Sequence, residues 1–170
     1  MNTVGHFKIT EIDESRVEGF DIENSGFGKV FSDHMLQADY EDDKWQTAEI
    51  KPYGPLEVTP ALNVFHYGQS VFEGTKAYYA GDKTINLFRP EANYKRFVKS
   101  CERMCIPPIY KETFIGGIEE LIKLDHRWVP RTKGHSLYIR PFACAWDHVV
   151  SANIAESYKF FIITSPVGAY

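Results

Sequence analysis

SLYIRPFACAW, residues 136–146, is the stretch on which the fold turns. Leu137 and Ile139 fall on one side of an extended chain, with Tyr138 and Arg140 on the other, the two-residue period of a β-strand. A second run, YKFFIIT at 158–164, reads as another strand, joined to the first by a loop over Asp147–Glu156. Upstream of both, the period changes. Pro90 suits the opening turn of a helix, where a missing N–H does no harm. Tyr94, Phe97, Val98, Cys101, Met104 and Cys105 then recur at helical spacing until Pro107-Pro108 ends the pattern. A second helix is predicted after Ile109, with Phe114, Ile118, Leu121, Ile122 and Leu124 on its buried side, ending by Pro130.

Further upstream the chain reads as strands again. Gly26–Tyr40 is predicted as one, with Val30, Phe31, Met35 and Leu36 as candidate buried groups, followed by a turn at Asp42-Asp43-Lys44. Trp45–Val58 reads as a second, interrupted at Tyr53-Gly54-Pro55. Asn63–Tyr79 reads as a short helix or irregular turn leading into a strand, Thr75–Ala80, which a hairpin turn at 81–84 returns as Ile85–Phe88. Strands, two helices, then strands make an α+β fold: a mostly antiparallel sheet with two helices packed on it. Residues 1–25, polar and acidic, are expected to form an arm or loosely attached leading segment before a domain at 26–164. Residues 165–170 read as the start of an interdomain linker, the chain stopping at SPVGAY as if truncated.

The 170 residues suffice for a single core, and 44% hydrophobic with 25% charged residues is an ordinary globular balance. A net charge of −4, with no run of lysine and arginine, argues against nucleic acid as a partner. No apolar stretch is long enough to span a membrane, and the N-terminus lacks an apolar signal core, so a cytoplasmic location is expected. Cys101, Cys105 and Cys144 show no metal-ligand spacing, and the first two, four apart, are expected to share a helix face as reduced core thiols. The six histidines are scattered without paired spacing, so no metal site is expected.

Three features carry chemistry. His66–Gly74, HYGQSVFEG, combines aromatics with glycines that allow close backbone approach, although composition alone also fits a core turn. Arg96, on the first helix, is either a solvated helix arginine or an anion clamp, since a guanidinium fork suits phosphate oxygens. Tyr138 and Arg140 stand side by side on one strand face among aliphatic residues; if that face is enclosed, Arg140 needs an anionic partner such as a substrate carboxylate.

Together FGKVFSDHM (27–35), FHYGQSVFEGTKAY (65–78), LFRPEANYKR (87–96), WVP (128–130), SLYIRP (136–141) and SPVGAY (165–170) resemble the branched-chain amino acid aminotransferases, of fold-type-IV pyridoxal phosphate enzymes. The resemblance runs from Phe27 to Tyr170 in the family's order. It implies that the chain is that family's small N-terminal domain. Arg96 resembles the arginine that grips the phosphate of pyridoxal 5'-phosphate. Phe27, Tyr67, Phe72 and Tyr138 resemble the aromatic wall around the substrate side chain, and Arg140 the arginine that helps accept the second carboxylate of glutamate. Val167 and Tyr170 resemble pocket residues between the domains, and Ala152 stands in a loop that, by resemblance, reaches the neighbouring subunit of a homodimer.

The family's Schiff-base lysine lies in a second domain downstream of SPVGAY, so no catalytic residue is expected in this chain; Lys76 corresponds to a strand lysine. The implied reaction moves an amino group between leucine, isoleucine or valine and 2-oxoglutarate, giving branched 2-oxo acids and glutamate, and these residues alone are expected to be inactive. A D-amino acid aminotransferase or aminodeoxychorismate lyase of the same fold type is the alternative reading. A non-catalytic interaction domain, with Arg96 and Arg140 as surface charges, is another.

Overall fold

The computed structural model describes residues 2–4 and 7–169. One curled sheet carries the chain: β1 (Asn2–Val4), β2 (Phe7–Ile9), β3 (His34–Glu41), β4 (Lys44–Trp45), β5 (Glu49–Pro52), β6 (Ser70–Phe72), β7 (Thr75–Gly81), β8 (Thr84–Leu87), β9 (Ser136–Ala145) and β10 (Tyr158–Val167). Its order is β1-β2-β5-β3-β10-β9-β7-β8, with β4 on β3 and β6 on β9. All pairs are antiparallel except β2 with β5. The helices are α1 (Asn63–Tyr67), α2 (Pro90–Arg103) and α3 (Gly117–Leu124), the last entered through a π-helical turn at Glu112–Gly116. This is the α+β arrangement the strand and helix periods predict.

The central pair, β9 and β10, runs in unbroken register from Tyr158 opposite Ala145 to Val167 opposite Ser136. On its helix side Leu137, Ile139, Phe160 and Ile162 are buried, and Phe97 of α2 and Phe114 close over Phe160 with ring centroids 5.6 and 6.0 Å away. The other side carries Tyr138, Arg140 and Phe142 beside Phe161 and is only partly covered. Burial on one side and openness on the other is how an antiparallel sheet divides core from site.

Pro141 lies inside β9, a position that would ordinarily lose a ladder bond. Its carbonyl accepts the Glu73 N–H at 2.9 Å, at the break between β6 and β7. The proline's missing donor therefore faces that break, where no strand residue waits for it.

Several boundaries differ from expectation. Gly26–Tyr40 is not one strand: Lys29 N–H bonds back to Gly26, Gly28 takes a φ of 66°, and the strand starts only at His34. Met35 and Leu36 are buried as expected, whereas Val30 and Phe31 are only half-buried. The predicted strand 45–58 is two short ones, β4 and β5. β10 continues through Ser165 to Val167, so part of the expected linker is sheet. The leading segment is not loose: β2 pairs in parallel with β5, Phe7 and Ile9 are buried, and Arg16 and Ser15 bond to Asp33. The hairpin turns do follow expectation, with Asp42-Asp43 and Asp82-Lys83 all at positive φ, the geometry that matches strand twist.

Cys105 is a further correction. α2 ends at Arg103, and Cys105 sits beyond it, exposed, at a φ of 54°, so it shares no helix face with buried Cys101. Burial pushes the thiols of Cys101 and Cys144 up to about 12 and about 11. Only the thiolate reacts, so titration of the folded chain with a disulfide reagent is expected to modify Cys105 alone. Three fast-reacting thiols would contradict the packing.

Candidate functional site

Four of the expected site residues meet on the open side of the sheet. Phe27 comes from the turn before β3, Phe72 from the end of β6, and Tyr138 and Arg140 from β9. Phe27 and Tyr138 rings meet edge-on with centroids 5.0 Å apart. The Arg140 guanidinium carbon lies 4.4 Å from the Phe72 ring centre and 5.3 Å from that of Tyr138. Its Nε and Nη2 donate to the Tyr138 hydroxyl at 3.1 and 2.8 Å. Arg140 is thus placed by a phenol and two aromatic faces, with no carboxylate in ion-pair range among the described residues. A guanidinium held this way keeps donors for an incoming carboxylate beside apolar rings.

Gly74 is why Tyr138 fits. A Cβ built there would lie 2.5 Å from the tyrosine oxygen. Phe72, Glu73 and Gly74 thus form one short connector that touches everything nearby: Phe72 the arginine, Gly74 the tyrosine, Glu73 the helix.

Glu73 is buried, and its carboxylate accepts Arg96 Nε, Arg96 Nη2 at 2.7 Å, Asn93 Nδ2 at 3.0 Å and the Gly74 N–H at 2.9 Å. Burial alone would push this carboxyl up; the bonds from Arg96, Asn93 and Gly74 outweigh it and hold it below the ordinary glutamate range. Arg96 itself is exposed at the mouth of a cleft of about 500 Å³ between α2 and β6, where Lys99 and Arg103 also line the wall. Its fork is oriented by Glu73 on one edge and open on the other. Such a donor set suits a phosphate group.

The remaining expected residues lie elsewhere. Tyr67, at the end of α1, is exposed with its ring against His66, outside the four-residue cluster. Val167 is buried at the end of β10. Ala152 is exposed in the loop after β9, which Asp147 closes by accepting the Glu156 and Ser157 N–H groups. Tyr170 lies outside the described residues. Lys76 stands on β7 opposite Tyr138. Among the described residues no group of three or more His, Cys, Asp or Glu could hold a metal ion, and no helix is long and apolar enough to cross a membrane. Glu73 and Asn93 are not singled out by the sequence, although Asn93 and Arg96 are one helical turn apart and the FEG run sits beside the aromatics.

No family model matches the chain. Curated relatives do. The chain is 47% identical over 146 residues to branched-chain-amino-acid transaminase 1 of Bacillus subtilis, 85% of this chain and 41% of that protein. It is 45% identical over 161 residues to a probable branched-chain-amino-acid aminotransferase of Staphylococcus aureus, 94% and 45% respectively. It spans about two fifths of the length of such relatives. Among solved structures, the branched-chain aminotransferase of Thermoproteus uzoniensis, with norvaline, aligns at a TM-score of 0.60 and 21% identity, over 78% of this chain and 41% of that one. A T.th. branched-chain amino acid aminotransferase, with pyridoxamine 5'-phosphate, aligns at 0.59 and 24%, over 79% and 40%. The fold is shared, and over most of its own length the chain is a homologue of branched-chain aminotransferases.

Proposed function

We propose that this chain, as a homologue of the branched-chain aminotransferases, supplies the substrate-side wall and the phosphate-gripping arginine of such an enzyme. The reaction is exchange of an amino group between leucine, isoleucine or valine and 2-oxoglutarate. One observation carries the reading: Phe27, Phe72 and the Tyr138–Arg140 pair, three separate stretches of sequence, converge into a single aromatic and cationic cluster on the open sheet face. The relatives' names and the solved complex with norvaline support an aliphatic amino acid as the substrate.

Each residue has a physical task. Phe27, Phe72 and the Tyr138 ring offer apolar surface to a branched aliphatic chain, whose burial contributes roughly 0.8 kcal/mol per methylene. Arg140, anchored on the Tyr138 hydroxyl, takes the second carboxylate when glutamate occupies the same space. Arg96, pre-oriented by Glu73, holds the phosphate of pyridoxal 5'-phosphate. When bound, that cofactor supplies the electron sink for the amino-group exchange, and the protein supplies placement and choice of substrate. Tyr67, Val167 and Tyr170 are further pocket residues by resemblance alone.

The same reading places 26–164 as a small domain, with the remaining catalytic parts outside these residues, in a cytoplasmic homodimer. The exposed Val149, Val150 and Ile154 near Ala152 form an apolar loop tip suited to a neighbouring subunit. Assaying the intact protein with 2-oxoglutarate is expected to show turnover of L-leucine and none of D-alanine; preference for D-alanine would replace the proposal with the D-amino acid reading. The 170-residue chain by itself is expected to show no turnover with either.

A further inference from the structure

The pairing of Arg96 with Glu73 poses an electrostatic problem for the cleft beside them. A carboxylate that grips Arg96 through two of its nitrogens also cancels its unit charge. The pair fixes a direction for hydrogen bonding and contributes little net attraction for an anion.

Two other cations line the same cleft. Lys99 and Arg103 follow Arg96 along α2 at i+3 and i+7, so all three project from one helix face. Neither Lys99 nor Arg103 makes an ion pair among the described residues. No carboxylate lines the cleft, and Ser70 contributes a hydroxyl from β6 across from the helix. Like charges at this spacing repel each other along the helix face. Facing a cavity of about 500 Å³ with no carboxylate in its wall, Lys99 and Arg103 are placed to meet an anionic ligand.

We propose that Lys99 and Arg103 are further phosphate-binding residues: Arg96 supplies the oriented fork, and Lys99 and Arg103 supply the net positive charge that draws a phosphate monoester into the cleft. The inference rests on the reading of Arg96 as a phosphate grip and extends it to two residues without an assigned role. A dianion gains from both charges, so a phosphate is favoured over a single carboxylate. The apolar floor, Val71 with Phe72, leaves room for the organic part of such a ligand.

Amide NMR titration of the chain with inorganic phosphate at low salt tests this, with acetate as the singly charged control. Saturable shifts are expected along α2 and β6, with acetate far weaker. The variant Lys99→Gln/Arg103→Gln is expected to bind phosphate about tenfold or more weakly, and Lys99→Arg/Arg103→Lys to restore binding. Both sites are on an exposed helix face, so circular dichroism should report an intact fold for each variant. Undiminished phosphate affinity in the Gln pair, or shifts no larger than those with acetate, overturns the inference. The functional reading is judged separately, by leucine turnover in the intact protein. Turnover and cofactor retention unaffected by the Gln pair would remove the inference and leave that reading standing. Phosphate binding lost in the Gln pair, with no leucine turnover in the intact wild type, would do the reverse.

Discussion

Replacing Asp33 by alanine is expected to cost about 1–3 kcal/mol of folding stability, a sizeable part of the roughly 5–15 kcal/mol that holds a domain together. Asp33 is buried where the leading segment, β3 and the turn after α3 meet. One carboxylate oxygen accepts the Arg16 N–H at 3.0 Å and Arg16 Nε at 3.3 Å; the other accepts the Ser15 hydroxyl at 2.6 Å and Trp128 Nε1 at 2.7 Å. Trp128 is fully buried, so its N–H has no water to turn to. Asparagine does not rescue the site. Whichever way the amide is turned, its NH₂ meets either the Trp128 N–H or the Arg16 donors, and only the Ser15 hydroxyl can reverse its role.

Burial pushes the Asp33 carboxyl up, but the bonds from Ser15, Trp128 and Arg16 outweigh it and hold it below its ordinary 3.8. A carboxyl lowered in the folded state binds fewer protons there than in the unfolded chain. Its contribution is therefore fully present above the ordinary aspartate range and is lost as pH falls through the lowered value. Urea unfolding at pH 7 is expected to show the full loss in Asp33→Ala. The gap between wild type and variant is expected to narrow as the buffer is taken below 3.8. A difference under about 1 kcal/mol at pH 7 would show that the leading segment is not secured through this carboxylate.

That contact also marks where the sequence ceases to be readable. β9 and β10 announce themselves because one face is apolar at every second residue, a signal that depends only on neighbours in the chain. The pairing of Phe7–Ile9 with β5 depends on residues far along the chain, so a polar leading segment looks detached. Ser165-Pro166 looks like linker for the same reason: neither residue favours a strand, and it is pairing opposite Tyr138 and Leu137 that holds them in one. In the site, Tyr138 and Arg140 are legible as a same-face pair, and Arg96 as an available fork. Glu73 is not, because a carboxylate's partner is set by how α2 packs on β6, and no local pattern encodes that.

On the proposed reading, Gly74→Ala is expected to reduce kcat/KM for leucine in the intact protein by about 100-fold, the scale on which a displacement near 1 Å at a binding group acts. The added Cβ would stand 2.5 Å from the Tyr138 oxygen and 3.1–3.2 Å from its ring carbons, so the tyrosine has to move. It cannot move alone. Its ring packs on Phe27, and its oxygen anchors two nitrogens of Arg140, which in turn lies over Phe72. Stability should suffer less, by about 1–3 kcal/mol, because a side-chain end gives way more cheaply than backbone. Adding Tyr138→Phe to Gly74→Ala removes the colliding oxygen and separates two roles of the tyrosine. Leucine, which in that reading meets only the apolar wall, is expected to recover. Glutamate is not, because Arg140 has then lost the hydroxyl that holds it. If Gly74→Ala keeps wild-type kcat/KM for both substrates, the cluster is not the substrate wall; if the double variant recovers both equally, the Tyr138 hydroxyl does not place Arg140.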